Sequence, residues 1–383
     1  MKKCSRLLIA PVLLFALLAA AACGGGGQPA DSGAGEDGGN GAGEEAAVSQ
    51  ETFTLVMALH GTESHAYVPP IIEWAEKLKD DSGGRINIEI HQGGTLASSL
   101  DEVGLVQTGG ADITFNTNSL SASLFKYGGI IAAFGEQVTN TMIGTHAVMA
   151  MYENEPAIKS EFDAAGLKCL AIMTQTPSTL GGKGAPVKTP AGWNGLSIQS
   201  ISKNTIAIDE GWGASPIGVG VGDLYENFSK NVCKAALIDA NLYSETRLYE
   251  EMDYLNTFNY NSSIAFLAMN LDKYNSLPDD LRALIDGTFD EISLSMATAT
   301  NDYFINFVET VLPENNVELY DFDADMTDRS NIMLDTVIKA PYLKMMADEG
   351  RYDGQKIYDG FEKYIQEGKA KYGSEYDWFK SIH

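Results

Sequence analysis

The chain has 383 residues, of which 44% are hydrophobic, and it carries 26 basic and 52 acidic side chains, a formal net charge of −26. This excess of negative charge makes nucleic acid a poor partner and opposes non-specific attraction to anionic lipids. The part after residue 50 is long enough to form two domains, each with its own hydrophobic core.

The first 22 residues have the pattern of a targeting segment. Basic residues among the first six positions precede the apolar run Leu7–Leu18, which is too short to span a bilayer comfortably. The sequence Ala20–Cys23 resembles a lipobox, so we predict cleavage after Ala22 and lipid modification of Cys23. The alternative is an ordinary secretory signal that is cleaved after Ala22.

Residues 24–50 are rich in glycine, alanine and acidic residues, and they include no aromatic and no basic residue. Such a segment cannot bury enough apolar surface to offset its ordering entropy, so we expect it to be disordered. It would act as a flexible tether between a lipid anchor and the folded domains. We therefore expect the protein to be lipid-anchored at the outer face of the cytoplasmic membrane or in the periplasm.

From residue 53 the chain alternates between strand and helix patterns. The first predicted elements are a strand at Phe53–Leu59, a helix at Tyr67–Asp80, a strand at Arg85–His91, a helix at Leu96–Gln107 and a strand at Asp112–Phe115. His60 follows the first of these strands, and the polar loop Asn116–Asn118 follows the third. Because α/β folds bind ligands at the carboxyl ends of strands, these residues are candidate ligand contacts. The alternatives are a surface histidine and ordinary turn chemistry.

The middle and the end of the chain continue this alternation. The next predicted elements are helices at Thr141–Tyr152 and Glu155–Ala165, a strand at Leu167–Thr174 and a loop at Gln175–Pro186. The stretch Trp193–Tyr243 then predicts three short strands separated by two helices, which indicates an α/β fold with a largely parallel sheet. Two strand runs lie within Tyr254–Phe266 on either side of the polar insert Asn259–Ser263. A long helical run covers Leu277–Asn306, and a strand near Val317–Leu319 and further helices complete the chain.

Only two cysteines, Cys169 and Cys233, lie in the predicted folded part, both within apolar strand-like runs. We interpret them as buried thiols, with a disulfide as the alternative because the compartment is extracytoplasmic. The sequence contains no C-x-x-C, H-E-x-x-H or P-loop motif, and its five histidines are scattered. We therefore predict no metal site, no cofactor and no enzymatic activity.

Several short motifs occur in an order that is typical of one protein family. G-L-x-I is found at Gly195–Ile198, G-A-S-P at Gly213–Pro216 and L-Y at residues 224–225. Other matches are Glu76–Arg85, Gly94–Ala97, Val187–Gly195, Leu248–Leu255 and Leu277–Leu281. From about Phe53 to about Gln366, the sequence resembles the TRAP-type (tripartite ATP-independent periplasmic) solute-binding proteins, also called the DctP-like family.

The resemblance implies an α/β, two-domain periplasmic-binding-protein fold of the class II type, with a hinge and an interdomain ligand cleft. Residues 51–176 and 264–303 would form domain I, and residues 177–263 and 304–383 would form domain II. Members of the family capture a small organic solute outside the cytoplasm and deliver it to the membrane permease subunits of a TRAP transporter.

The sequence departs from the family pattern at ligand-contacting positions. Where the family has an arginine that clamps the ligand carboxylate, this chain has Gln199, and Thr179 occupies the position of a second arginine. Ile238 replaces a family asparagine, and the segment Gly218–Gly222 replaces bulkier residues. These changes imply a roomy, largely apolar cleft for an aromatic or weakly charged solute. The predicted ligand contacts are His60, Asn116, Thr117, Asn118, Thr179, Gln199, Ser202, Val221, Ile238 and Tyr260.

Two alternatives to TRAP transport are compatible with the same residues. One is a solute receptor of the same fold that serves another transporter or a sensor. The other is an extracytoplasmic enzyme that uses His60 or a carboxylate pair, although the sequence shows no nucleophile–base or metal-ligand spacing. For the transport function, we expect the two domains to close about the loops Gln175–Pro186 and Asn259–Ser263.

Overall fold

The structure, a computed structural model, describes residues 51–218, 220–373 and 378. The predicted signal segment, the lipid site at Cys23 and the tether at residues 24–50 lie outside the described residues. Within the described part of the chain, no helix is both long enough and apolar enough to cross a membrane.

The described strands form two sheets. The strands are β1 (Phe53–Ala58), β2 (Ile86–His91), β3 (Ile113–Thr117), β4 (Leu167–Thr174), β5 (Ser178–Gly182), β6 (Ser197–Ser200), β7 (Ser215–Gly218), β8 (Ala235–Asp239), β9 (Tyr254–Asn256), β10 (Ile264–Asn270) and β11 (Glu318–Tyr320). The first sheet has the order β2-β1-β3-β10-β4, and β10 runs antiparallel to both of its neighbours. The second sheet has the order β11-β9-β5-β8-β6-β7, and β5 runs antiparallel to both β8 and β9.

Helices connect and cover the strands. The α-helices are α1 (Val68–Asp81), α2 (Glu102–Gln107), α3 (Thr141–Asn154), α4 (Pro156–Ala164), α5 (Pro190–Trp193), α6 (Lys203–Gly211), α7 (Leu224–Ser229), α8 (Ala240–Glu245), α9 (Leu271–Asn275), α10 (Asp279–Asp286), α11 (Phe289–Asn306), α12 (Leu312–Glu314), α13 (Ala324–Leu334), α14 (Ala340–Glu349) and α15 (Gly354–Tyr372). Single π-helical turns join α11 to α12 and α13 to α14. A 3-10 helical segment covers Gly128–Gln137.

Each sheet is buried on both of its faces. Along β10, Leu267 packs in a layer with α1, α10 and α11, whereas its neighbour Phe266 packs in a layer with α2, α3, α4 and α15. Along β8, Leu237 packs with α5, α6 and α13, and Ile238 packs with α7, α8 and the end of α11. This alternation follows from the two-residue period of a strand, and it gives the chain four apolar layers.

The first two passages of the chain between the sheets lie side by side. In the passage from β4 to β5, the Ser178 N–H donates to the Asn261 carbonyl at 2.9 Å, and the Gln175 N–H donates to the Ser263 carbonyl at 3.1 Å. Gly135 lies against the passage from β9 to β10, because a Cβ at this position would come within 2.5 Å of the Asn261 nitrogen. Only glycine allows this close approach of two backbone segments.

The structure corrects the prediction that Gln175–Pro186 is a loop, because β5 lies inside this range. The glycines of β5 obscured its strand pattern in the sequence. In the structure they leave room for side chains: a Cβ at Gly181 would meet the Met252 methyl group at 2.6 Å and the Tyr243 ring at 2.8 Å. The Tyr243 hydroxyl also accepts a hydrogen bond from the Gly181 N–H at 2.8 Å, which holds the ring against the strand.

Two predicted helices are shorter in the structure. The run Leu277–Asn306 is divided into α10 and α11 by a break at residues 287 and 288. The helix expected at Leu96–Gln107 begins only with α2, because the Ser98 hydroxyl donates to Asp101 Oδ2 at 2.6 Å in the turn that precedes it.

The C-terminal part returns to the first sheet. The apolar face of α15, with Phe361 and Ile365, packs in the layer of α3, although residues 304–383 were expected to pack with the second sheet. After α15, the Trp378 ring is buried against Phe304, and its Nε1–H donates to Asn301 Oδ1 at 2.7 Å.

Cys169 and Cys233 are free and buried, as one of the two interpretations of the sequence predicted. Burial raises the pKa of both thiols, so they are less reactive than exposed thiols. In residues 51–218, 220–373 and 378, no three metal-ligating side chains of the His, Cys, Asp or Glu type lie together.

Candidate functional site

A cavity of about 240 Å³ lies where elements of both sheets meet, and we call it the α6 cavity. One half of its wall is polar and is formed by Asn118, Ser119, Ser202, Lys203, Ser262 and Ser263. The other half is mainly apolar and is formed by Ala122, Ala207, Val337, Pro341, Tyr342 and Met345. Lys126 and Asn204 complete the wall. The cavity is therefore suited to a small molecule that has both polar and apolar groups.

The polar half is built around the beginning of α6. The Ser202 hydroxyl accepts a hydrogen bond from the Thr205 N–H at 3.2 Å, and Thr205 Oγ1 accepts one from the Ser202 N–H at 3.3 Å. This capping box fixes the first turn of the helix. The first N–H groups of a helix have no acceptor inside the helix, so Lys203 and Asn204 each bring a backbone donor to the cavity wall.

The two lysines of the wall differ in their pairing. Lys126 Nζ lies 2.6 Å from Glu349 Oε1. Among the ion pairs of the described chain, Lys203 has no carboxylate partner, and its side chain is exposed. No aspartate or glutamate belongs to the cavity wall, so Lys203 provides an uncompensated positive charge there.

Two of the predicted ligand contacts, Asn118 and Ser202, lie in the wall of the α6 cavity. Asn118 Oδ1 accepts a hydrogen bond from the Ile264 N–H at 3.0 Å, which ties the loop after β3 to β10. Asn116 is buried, and its Nδ2 donates to the Ser99 carbonyl at 2.8 Å. The Thr117 hydroxyl hydrogen-bonds that of Ser119 at 2.8 Å. Asn116 and Thr117 thus hold the shape of this loop, whose end forms part of the wall.

His60 lies outside the wall of this cavity, in contact with a carboxylate and a phenol. Its Nδ1 is 2.7 Å from Glu102 Oε2, and its Nε2 is 3.3 Å from the Tyr67 hydroxyl. The Tyr67 ring stacks on Phe115 with a centroid distance of 3.9 Å. These contacts join the loop after β1 to α2 and β3.

Next to His60, the loop after β1 meets α8 in a group that we call the α8 acid cluster: His65, Tyr67, Asp239 and Glu245. His65 Nε2 lies 3.9 Å from Glu245 Oε2, and the pKa of His65 is lowered, mainly by burial. Burial and, to a smaller extent, the nearby charge of Asp239 raise the pKa of Glu245 to about 8. Burial also raises the pKa of Asp239 to about 7, against the opposing effect of a hydrogen bond from Thr176.

Three more predicted contacts, Thr179, Gln199 and Ile238, lie on β5, β6 and β8 and are buried. Thr179 is paired with Ile238 across the sheet, and Gln199 is paired with Ala236. By the two-residue period of the strands, all of these side chains face the layer of α7 and α8. The Thr179 hydroxyl and both polar atoms of the Gln199 amide are buried without a hydrogen-bond partner within the described chain. Such groups cost about 1–3 kcal/mol each, so they require an explanation.

The last two predicted contacts lie in different surroundings. Val221 is exposed, in the 3-10 turn Val221–Asp223 that precedes α7. Tyr260 is fully buried among aromatic rings, with centroid distances of 4.8 Å to Phe258 and 5.8 Å to Trp193. Neither residue belongs to the wall of the α6 cavity.

Most residues of the α6 cavity wall were not predicted from the sequence. Lys203 directly follows the predicted contact Ser202, and Ser262 and Ser263 lie in the polar insert that was identified as a crossing, so their positions gave a usable signal. Tyr342 and Met345 gave none, because only the packing of α14 across the two sheets brings them to the cavity.

Comparisons with known proteins agree with this architecture. The model of the bacterial extracellular solute-binding protein family 7, DctP, matches residues 60–344, well over half of the 383-residue chain. The chain belongs to this family. The resemblance to the DctP family that the sequence motifs indicated is therefore confirmed. As a DctP protein, it is an extracytoplasmic solute-binding protein. No curated protein sequence matches it.

Solved structures of TRAP solute-binding proteins share its two-domain α/β fold, which confirms the predicted fold class. One, from an unidentified marine microbe, is specific for aromatic acids and contains 3-hydroxybenzoate; it is 17% identical, with a TM-score of 0.73, and the match covers 83% of this chain and 99% of that one. A second, from Rhodoferax ferrireducens with copurified benzoate, is 18% identical with a TM-score of 0.72 and coverages of 84% and 99%. A third, from Bordetella bronchiseptica with bound mandelate, is 18% identical with a TM-score of 0.72 and coverages of 82% and 99%.

Proposed function

We propose that this DctP-family protein captures a small organic solute with an apolar or aromatic body and few polar groups, and delivers it to the permease subunits of a TRAP transporter. The observation that carries this ligand class is the uncharged pair Gln199 and Thr179, which stand where the family has arginines. In the described residues, four arginines form ion pairs with carboxylates outside the α6 cavity, and Arg351 lies over the Tyr352 ring. No arginine belongs to the cavity wall.

The size of the α6 cavity supports this ligand class. A cavity of about 150 Å³ can hold a benzene molecule. The α6 cavity, at about 240 Å³, therefore has room for a single ring with a substituent. The three solved relatives contain 3-hydroxybenzoate, benzoate and mandelate, each of which is an acid with one aromatic ring.

Within this function, Asn118 and Ser202 contact the solute directly from the wall of the α6 cavity. Gln199 near the carboxyl end of β6 and Thr179 on β5, with β8 between the two strands, would offer neutral polar groups to a solute from the layer of α7 and α8, outside the wall of the α6 cavity. Their unsatisfied hydrogen-bonding capacity supports this role, because most buried polar groups in native proteins have a hydrogen-bond partner and a bound solute would supply one. A bound solute that reaches them would recover about 0.5–1.5 kcal/mol for each hydrogen bond.

Solute capture would involve closure of two lobes. One lobe comprises residues 51–176 and 264–303, and the other comprises residues 177–263 and 304–383, from which α15 reaches back to the first lobe. The paired passages near Ser178 and Asn261 support a hinge at this position, since they are short, adjacent and hydrogen-bonded to each other. Shear or bending there would open the α6 cavity.

A lipid on Cys23, followed by the acidic tether, would keep the protein at the outer face of the membrane, within reach of the permease. Cys23→Ser is then expected to move the protein from the membrane fraction to the soluble fraction. Recovery of the variant in the membrane fraction would contradict lipid anchoring at this residue.

The ligand class is tested by thermal unfolding against a panel of single-ring aromatic acids, their neutral amides, dicarboxylates and sugar acids. A solute at 100 times its dissociation constant stabilises the folded protein by about 2.7 kcal/mol, which is readily measured. We expect stabilisation by at least one aromatic compound. Stabilisation by dicarboxylates or sugar acids alone would contradict the proposed ligand class.

A further inference from the structure

The α6 cavity is an electrostatic exception in this protein. Acidic side chains outnumber basic ones by 52 to 26 in the whole chain. The cavity wall reverses this balance, because it contains Lys126 and Lys203 and no carboxylate. Glu349 outside the wall neutralises Lys126 at 2.6 Å, which leaves Lys203 as the charge that acts inside the cavity.

The backbone adds to the charge of Lys203. α6 has nine residues, and Lys203 is the first of them. The aligned peptide dipoles and the free N–H groups of the first turn favour negative charge at this end of a helix. The capping box of Ser202 and Thr205 uses the Thr205 N–H, so the N–H groups of Lys203 and Asn204 are the donors that remain for a ligand.

A second and independent observation is the hydroxyl of Ser262. This side chain belongs to the cavity wall, is only 1% exposed, and has no hydrogen-bond partner among the described residues. It reaches the cavity from the passage between β9 and β10, whereas Lys203 comes from α6. A buried hydroxyl without a partner points to a ligand group that accepts its hydrogen bond.

The part of the wall formed by α14 and the turn before it offers no partner to a second charge. Val337, Pro341 and Met345 contribute apolar surface. Burial raises the pKa of Tyr342, so its hydroxyl stays neutral. A charged group at this end would lose its hydration without gaining a partner.

We propose that the α6 cavity takes a monocarboxylate, whose single carboxylate lies between Lys203, the first N–H groups of α6 and the Ser262 hydroxyl, with its apolar body against α14. This inference rests on the proposed function and specifies the charge of the solute and its cationic partner. Lys203, at the N-terminus of α6, thus supplies the positive charge for the carboxylate that the family arginine would supply at the position of Gln199.

The test compares each acid with its neutral amide. Calorimetry of the purified protein is carried out with benzoate, 3-hydroxybenzoate and mandelate and with the corresponding amides. Three variants are measured: Lys203→Met, Lys203→Arg, and the control Lys230→Met, which removes another exposed lysine, directly after α7 and outside the cavity wall. A second set of titrations at about 1 M salt separates contact at Lys203 from long-range attraction, since exposed charges are then screened within about 3 Å.

We expect the acid that binds best to bind at least about 10-fold more tightly than its amide, since a hydrogen bond with a charged group is among the stronger ones. Lys203→Met should remove this difference and leave the amide affinity unchanged within about 2-fold, while Lys203→Arg retains most of the difference. Lys230→Met should leave every affinity unchanged.

Equal affinities for acid and amide in the unmodified protein, or an unchanged acid affinity in Lys203→Met, would overturn the inference and leave the proposed function standing. Binding of neither set would contradict the aromatic ligand class itself, and the inference with it. The two failures are therefore distinguishable. A Lys203→Met variant that binds the amide as the unmodified protein does is also shown to be folded.

Discussion

The α6 cavity and the α8 acid cluster both join elements of the two sheets, but their chemistry is opposite. The cavity is open, carries an unpaired cation, and has a buried hydroxyl without a partner. The cluster is closely packed, its groups are acidic or imidazole, and they contact one another: His65 lies 3.9 Å from Glu245, and Thr176 hydrogen-bonds Asp239. The α6 cavity therefore has a charge and a hydrogen-bonding group available for a ligand, whereas the groups of the α8 acid cluster contact other groups of the protein.

Because of this difference, we expect the affinity for the solute and the pH response of stability to depend on different regions of the molecule. Changes in the α6 cavity should alter the affinity for the solute and have little effect on the response of folding to pH. Changes in the α8 acid cluster should alter the stability of the contact between the loop after β1 and α8, and its response to pH, with little effect on affinity.

The largest effect expected is a loss of stability as pH rises. Burial raises the pKa of Asp239 to about 7, of Glu245 to about 8, and of Glu161 to about 7. Unfolded carboxyl groups titrate near pH 4, so between about pH 4 and pH 8 the folded state binds more protons than the unfolded state. The free energy of unfolding must therefore fall as pH rises through this window.

His65 acts in the opposite sense, because its lowered pKa makes acidification below about pH 6.5 unfavourable for the folded state. Urea unfolding between pH 6.5 and 8.5 isolates the carboxyl groups. We expect the free energy of unfolding to decrease by several kcal/mol between pH 6.5 and pH 8.5, since each unit of pKa shift corresponds to about 1.4 kcal/mol. A flat or rising profile above pH 6.5 would contradict the buried protonated carboxyls.

Glu245→Gln should remove part of this dependence. The amide resembles the protonated carboxyl, so the variant should be about as stable as the unmodified protein at pH 4 and more stable by several kcal/mol at pH 8.5. Glu153→Gln, at an exposed position of α3, is the matched control and should change neither value. The affinity for the solute should remain within about 2-fold, and a loss of more than about 10-fold would break the separation between the two regions.

Gln199→Met tests the role of the buried Gln199 amide, whose two polar atoms have no hydrogen-bond partner within the described chain. Replacing an amide that has no partner by an apolar side chain of similar size should raise the free energy of unfolding by about 1–2 kcal/mol in the absence of solute. If Gln199 contacts the solute, the same change should lower the affinity by about 10-fold. Calorimetry and urea unfolding of the one variant give both values. Higher stability with unchanged affinity would remove Gln199 from the ligand site.

Domain closure is the smallest effect. Small-angle scattering should show a decrease in the radius of gyration when a saturating solute is added, because the lobes close about the passages near Ser178 and Asn261. Lys203→Met at the same solute concentration serves as a control with weakened binding. An unchanged radius in the saturated protein would indicate that the solute enters the α6 cavity without movement of the lobes.

The sequence was sufficient for the elements whose pattern is local. β1, β2 and the pair of strands around Asn259–Ser263 lie close to their predicted positions, because apolar alternation and turn residues define them. β5 was missed because its glycines make room for Tyr243 and Met252, which are distant in the sequence. The packing of α15 on α3 was missed for the same reason, since an apolar helix face does not reveal its partner.

The candidate site was predicted less completely than the fold. Asn118 and Ser202 follow strand ends, and strand ends are where α/β folds place ligands, so both were identified. Lys203 was not identified, because its importance depends on the absence of a nearby carboxylate, which only the folded chain shows. Tyr342 and Met345 reach the cavity through the packing of α14, for which the sequence contains no local signal.

The central claim is that this protein binds a single-ring monocarboxylate and discriminates against dicarboxylates. Calorimetry with benzoate, 3-hydroxybenzoate, mandelate and succinate tests it most directly. A second carboxylate would be desolvated without a cation at the apolar end of the cavity, at a cost of several kcal/mol. The account predicts micromolar or tighter binding of at least one aromatic acid, and succinate binding that is weaker by at least about 100-fold. Micromolar binding of succinate by the unmodified protein would contradict it.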